Sequence, residues 1–452
     1  MLLGNVYSTL SMPSLRFYFL ALASLLLCGL LTVSCSSRRG RTDRHEADSV
    51  YKVSKTAIAK PILPKLYLEH SGSMFGYDGP TVNGNFKNTI TKLLNQFDNP
   101  QATSIFIVND KVYPYPKSYS DLIKSATLFQ YKTGNAAYTD FGQIFQTIAD
   151  DLEENQLAIL TTDLIYSEKS ATGQNAAKIM ATAQNLAQIA LKNYTKTGSL
   201  LVLKLHSDYS GRYYPYNSPQ KGKQYKGDRP FYVLLFAKNA TMDRLLTENQ
   251  YAGLRNFSSY PSFENQYLFS SSTQARTPFY TLLENHPSAK GTYDKDREGD
   301  NSKGLHIIKN VEPPHKSTEK LTIVVAVKLP VGAYGEVFIR NPANYTVESI
   351  KDNFKIKAIQ PSTNPGTTHD IILEASSPAS GERTAIIRLK RIFPPTWIIS
   401  SSSDDDTNVN PNTTFATTTF GLQPMMTGIH HAYEAHITDK NYLFSLSLHL
   451  ND

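Results

Sequence analysis

The chain has 452 residues, with 46 Lys and Arg against 39 Asp and Glu, a formal charge of +7. Two cysteines, Cys28 and Cys35, are too few for a disulfide-stapled scaffold, so the fold must rest on its apolar core. The mild basic excess is spread along the chain without a basic-aromatic pattern, which argues against a nucleic-acid partner, and the length suggests two or three domains.

The first 34 residues hold no acid and one base, Arg16, followed by an apolar run over 17–31 and then Thr32-Val33-Ser34-Cys35. A charged start, a short apolar stretch and a small residue before a cut predict a secretory signal, too short to span a bilayer comfortably. With Ser34 before Cys35 the segment resembles a bacterial lipobox, which implies cleavage before Cys35 and lipid on that cysteine. A cell-envelope protein, anchored to a bacterial membrane and most simply the outer one, is then expected. Cys28 is the rival, but bulky Leu27 precedes it. Residues 35–60 are polar, lack hydrophobic periodicity and read as a flexible tether. Arg38, Arg39 and Arg41 stand beside the anchor, positioned for anionic headgroups or simply for solvent.

From 61 to 250, strand and helix patterns alternate. Leu66-Tyr67-Leu68 is a short strand ending at Glu69, and Phe86, Ile90, Leu93, Leu94 and Phe97 then recur at helical spacing. Strands follow at 104–108 and 157–160, an amphipathic helix carries Phe141, Ile144, Phe145, Ile148 and Leu152, and an Ala- and Leu-rich helix covers 174–192. Later strands lie at 200–203 and 231–236. The alternation predicts an α/β fold with a doubly wound, mostly parallel sheet. Residues 251–318, rich in Ser, Tyr, Asn and Pro, read as an irregular connection with short elements. Over 319–452 strands dominate, at 321–328, 337–339, 354–357, 371–373, 384–390 and 442–449, and predict a β-rich, sandwich-like domain with one helix at 421–436.

The chemistry concentrates in Glu69-His70-Ser71-Gly72-Ser73-Met74, where the first strand ends. Ligands of open α/β sheets bind at the carboxyl ends of strands. Thr139 stands just before the helix at Phe141, and Asp163 ends the strand at 157–160, so both reach the same edge. Hydroxyls and carboxylates are hard oxygen donors suited to Mg2+ or Ca2+. Taken alone, Ser-Gly-Ser is a common turn, and Thr139 or Asp163 alone reads as a helix cap.

As an ordered set, these residues resemble the metal-ion-dependent adhesion site of a von Willebrand factor A domain, over residues 61–250. That family places Asp-x-Ser-x-Ser after its first strand, a distant Thr, and an Asp after its fourth strand. Glu69-x-Ser71-x-Ser73, Thr139 and Asp163 stand in those places. The resemblance implies a divalent metal held by these five residues and a partner protein whose carboxylate completes the shell, in a binding, adhesion or assembly module rather than an enzyme. Two departures are visible. Glu69 replaces the family's Asp, and Thr139 lacks the usual preceding Gly. Glu69 motivates the alternative, an unmetallated scaffold of an envelope complex. A serine hydrolase built on Ser71 and His70 is remote, because no Gly-x-Ser-x-Gly elbow is present.

Three other features read as structural. His430, His431, Glu434 and His436 lack clean metal-ligand spacing, Asp404-Asp405-Asp406 reads as a solvated acidic loop, and Trp397 as core.

Overall fold

The computed structural model describes residues 60–451 apart from 168, 170, 171, 219, 273–276, 297–303, 317 and 377–379. The signal segment, Cys35 and the tether lie outside the described residues. Among the described residues no helix is long and apolar enough to cross a membrane.

The first sheet has seven strands: β1 Leu63–Glu69, β2 Ser104–Val108, β3 Val112–Pro114, β4 Gln156–Thr162, β5 Gly198–Tyr213, β6 Lys223–Lys238 and β7 Phe263–Ser270. Their spatial order is β3-β2-β1-β4-β6-β5-β7. Alternating side chains face opposite sides of the sheet, so each strand feeds two cores. Leu66 and Leu68 of β1, Leu157 and Ile159 of β4, and Val233 and Leu235 of β6 join the buried faces of α1 Asn85–Leu94, α2 Tyr119–Lys124 and, after β6, the helix Asn239–Thr247. Tyr67, Leu160, Leu234 and Phe236 point the other way, toward α3 Phe141–Asp151 and α4 Ala176–Leu191. Helices thus cover both faces, as the alternating pattern predicted.

The strand directions differ from the expected mostly parallel sheet. β1 pairs in parallel with β2 and β4, but β3, β5, β6 and β7 all join antiparallel, making the sheet mixed and mostly antiparallel. The reason is the connection between β5 and β6. A parallel crossover takes a dozen or more residues, usually a helix. Here the two strands run in unbroken register from Gly198↔Lys238 to Tyr213↔Lys223, and only the turn 214–222 links them. The stretch 204–213 simply continues the strand, with Leu205, Tyr209 and Tyr213 buried at every fourth position on one face.

The rest of the chain adds a five-stranded and a four-stranded sheet. Ala385, Ile387 and Leu389 of the strand Arg383–Lys390 share a core with Ile323 and Val325 of Thr322–Val327 and with Ile371 and Leu373 of His369–Ala375. The stretch 251–318 contributes β7 and the short strands Tyr280–Leu282, Thr292–Lys295 and Ile307–Glu312. The strand expected at 337–339 is instead part of a helical turn, Glu336–Ile339, set off by Gly335 at φ 77°. Three consecutive apolar residues there do not mark a buried strand, since Val337 is 85% exposed.

The C-terminal helix Leu422–Glu434 leaves these sheets and packs on α4. Gly428 permits the contact, because a Cβ there would stand 2.0 Å from the Gln184 carbonyl oxygen. Residues 59–452 accordingly form one compact unit.

Candidate functional site

The parallel core β2-β1-β4 aims three carboxyl ends at one edge of the sheet, and the predicted residues gather there. Glu69 is the last residue of β1, and Asp163 directly follows β4. Ser71 and Ser73 lie in the loop after β1, before the helical turn Met74–Tyr77. Thr139 precedes Asp140, whose side chain caps α3 by accepting from Gln143 N at 2.9 Å. Backbone bonds pin these loops together. Gly72 N donates to Ala136 O at 2.8 Å, Thr139 N to Ser167 O at 3.2 Å, and Asp140 N to Asn109 O at 3.1 Å.

All five candidates are buried. The Thr139 hydroxyl donates to Glu69 Oε1 at 2.7 Å, across 70 residues of sequence. The Ser71 and Ser73 hydroxyls are 3.1 Å apart. Burial, reinforced by the nearby charge of Asp163, pushes the Glu69 carboxyl up to about 8, although hydroxyls of Thr162, Thr139 and Ser71 favour its charged form. Burial also raises Asp163, against the Ser73 hydroxyl and the Ile165 amide. Glu69 Oε2 is buried and has no hydrogen-bond partner. Two carboxylates crowded in a low-dielectric site repel each other and lack a counter-charge within the cluster. Two carboxylates, three hydroxyls and an orphaned carboxylate oxygen suit a hard divalent cation.

The loop leaving Asp163 is strained. Leu164 is buried with φ at 56°, a conformation costly for a branched side chain. It is held by Thr162 Oγ1 accepting from Leu164 N at 2.8 Å and Asp163 Oδ1 accepting from Ile165 N at 3.1 Å.

His70 does not meet Ser71. Its Nδ1 contacts the Tyr131 carbonyl at 3.1 Å, and its ring packs edge-on against Phe129. Burial drives its pKa down to about 4, so it is neutral near pH 7. His70 is therefore not placed as a base for Ser71, and the Ser-His pair weighed from the sequence is not assembled.

Three participants escaped the sequence reading. Thr162 bonds toward Glu69 from the end of β4. Arg229 of β6 is 1% exposed beside the site, with the rings of Tyr213 and Phe415 at 4.9 and 4.1 Å from its guanidinium carbon. Asp406, expected in a solvated loop, is buried, while Asp404 and Asp405 are exposed. Its carboxylate accepts from Tyr213 OH at 2.7 Å and Tyr216 N at 3.1 Å. Arg229 follows a lysine-rich stretch and Asp406 ends an acidic run, so both look solvated in sequence, and no local signal marked their burial.

A cleft of about 510 Å³ opens above Ser71 and Ser73. Tyr138, Tyr166, Tyr214, Tyr216 and Phe420 wall it, and among the described residues no Lys, Arg or His lines it. Phe420 and Asp406 come from the C-terminal part of the chain, so the cleft is composite. Trp397 borders a second cleft, of about 630 Å³, alongside β7. Among the described residues no three His, Cys, Asp or Glu side chains converge on a metal-sized site. In the histidine cluster, His430 stacks on Phe393 with centroids 3.9 Å apart and Glu434 pairs with Lys440 at 3.1 Å.

No protein-family model, no curated protein and no solved structure matches the chain.

Proposed function

We propose that the chain is a lipid-anchored binding module of a bacterial cell envelope, built on a von Willebrand factor A-like unit. Its oxygen cluster holds Mg2+ or Ca2+ and engages a partner protein. The observation that carries the reading is the convergence of Glu69, Ser71, Ser73, Thr139 and Asp163, from three separate segments, at the carboxyl edge of the parallel strands and beneath an open cleft. A bound divalent ion supplies an electrophilic open position for a carboxylate oxygen. Ser71, Ser73 and Thr139 offer hydroxyl ligands, and Glu69 and Asp163 offer charge, directly or through water. Because Glu69 is one methylene longer than the family's Asp, its carboxylate reaches further into the site than an Asp would. Cys35 carries the lipid, and residues 35–60 hold the module off the membrane.

The test uses the soluble chain from residue 36. Calorimetry with Mg2+ and Ca2+ should show one site per chain, lost in Ser73→Ala/Thr139→Ala and in EDTA. Metal binding that persists unchanged in that double variant sinks the metal reading at these residues, and absence of binding in the wild type leaves the second one, an unmetallated envelope scaffold, which Glu69 in place of Asp favours. For the anchor, labelling with a tagged fatty acid should mark the full chain and be lost in Cys35→Ala; label retained in that variant would refute lipidation at this residue.

A further inference from the structure

Arg229 is the residue that neither the oxygen cluster nor the cleft accounts for. A fully buried guanidinium is costly unless an anion compensates it. Among the described residues it forms no direct ion pair, yet it is 1% exposed. Its Nη1 donates to the carbonyls of Phe415 and, at 2.9 Å, Thr418, while Nε and Nη2 have no hydrogen-bond partner. Neutral carbonyls and two aromatic faces orient the group but do not cancel its charge.

The fold puts this charge beside the oxygen cluster. β6 runs antiparallel to β4 and their register ends at Thr162↔Tyr232, so residue 229 lies three positions beyond, past the end at which Asp163 sits. The neighbouring Pro230 carbonyl accepts from Tyr77 OH at 2.5 Å, which docks the turn after Ser73 on the same stretch of β6. Asp406 is the other acid nearby, and both its oxygens are already bonded. Asp163 accepts from the Ile165 amide and the Ser73 hydroxyl, Glu69 Oε2 is unpartnered, and neither carboxylate has a cation bonded to it, while the charge of Arg229 acts on Asp163.

We propose that Arg229 is the resident counter-cation of the Glu69–Asp163 cluster, making the site stable when empty and lowering its affinity for a divalent ion. This rests on the reading of the cluster as a cation site. With both carboxylates ionised, the three groups carry one net negative charge instead of two. A metal then binds weakly until a partner's carboxylate adds a further negative ligand, so metal and partner bind cooperatively.

The experiment pairs Arg229→Met, Arg229→Lys and Asp163→Asn in the chain from residue 36, with Mg2+ alone as probe. Removing a buried positive charge that acts on Asp163 should tighten Mg2+ binding roughly tenfold or more, while Arg229→Lys stays near wild type. A folded Arg229→Met chain that binds Mg2+ no tighter than wild type overturns the proposal and leaves the metal reading standing. A metal-free readout separates the two ideas. In EDTA, denaturation of Arg229→Met, Asp163→Asn and the double variant should show that Asp163→Asn rescues most of the stability lost in Arg229→Met, or restores folding if the single variant does not fold. Additive losses, or a double variant that stays unfolded, overturn the counter-cation role. Failure of the metal reading alone would appear as absence of Mg2+ binding in every variant with that rescue intact.

Discussion

Replacing Glu69 by Gln isolates the electrostatic burden of the cluster. The Glu69 carboxyl moves from an ordinary 4.5 to about 8 in the folded chain, through burial first and the charge of Asp163 second. A folded-state value above the unfolded one means that the stabilisation is complete below 4.5 and is lost as pH rises toward 8. Between pH 5 and pH 8 that loss comes to roughly 3–4 kcal/mol, at about 1.4 kcal/mol per pH unit. Gln cannot ionise, and its carbonyl can still accept from the Thr139 hydroxyl that now donates to Oε1 at 2.7 Å. Its amide falls where Oε2 already lacks a partner, so little else changes. In EDTA, urea denaturation should therefore find Glu69→Gln close to wild type at pH 5 and more stable by about 3 kcal/mol at pH 8. A difference that stays within about 0.5 kcal/mol across this range would refute the crowded-carboxylate account. Excess Mg2+ at pH 8 should close the gap by stabilising the wild type alone.

Three further outcomes are expected. His70, held neutral with a pKa near 4, contributes stability above its ordinary 6.5 that is lost as pH falls through that window. His70→Phe should remove this acid-side loss, and a denaturation series from pH 7 to 4 that is unchanged would contradict it. Gly428→Ala should destabilise by about 2 kcal/mol or more, since its Cβ would press on the Gln184 carbonyl and lever the C-terminal helix off α4; a wild-type melting curve would refute that contact. Asp352→Ala should cost about 3 kcal/mol, because it removes the carboxylate 3.2 Å from Nη1 of the buried Arg383 and leaves that charge less compensated. A loss under 1 kcal/mol would show that the guanidinium finds solvent or another partner.

The sequence by itself determined the local elements and the place of the site. Leu66 and Leu68 with Glu69 after them, Phe86 and Ile90 at helical spacing, and Thr139 just before Phe141 carry their own signals, because burial period and capping act within one turn or strand. Since strand ends of consecutive β-α units fall on one edge, Glu69, Ser71, Ser73, Thr139 and Asp163 could be grouped before any coordinates. Strand direction was not legible in the same way. The buried runs at 200–203 and 231–236 read alike in a parallel or an antiparallel sheet, and only the Pro, Asn, Ser and Gly of 214–222 hinted at a hairpin. The tertiary structure alone decided what surrounds the site. Arg229 sits in a lysine-rich stretch and Asp406 in an acidic run, both of which look solvated in sequence. They are buried because β6 extends past β4 and because the segment 406–420 returns from the far end of the chain to cover them. Which charges end up sharing a low-dielectric space is a property of that long-range packing, and no local pattern of residues encodes it.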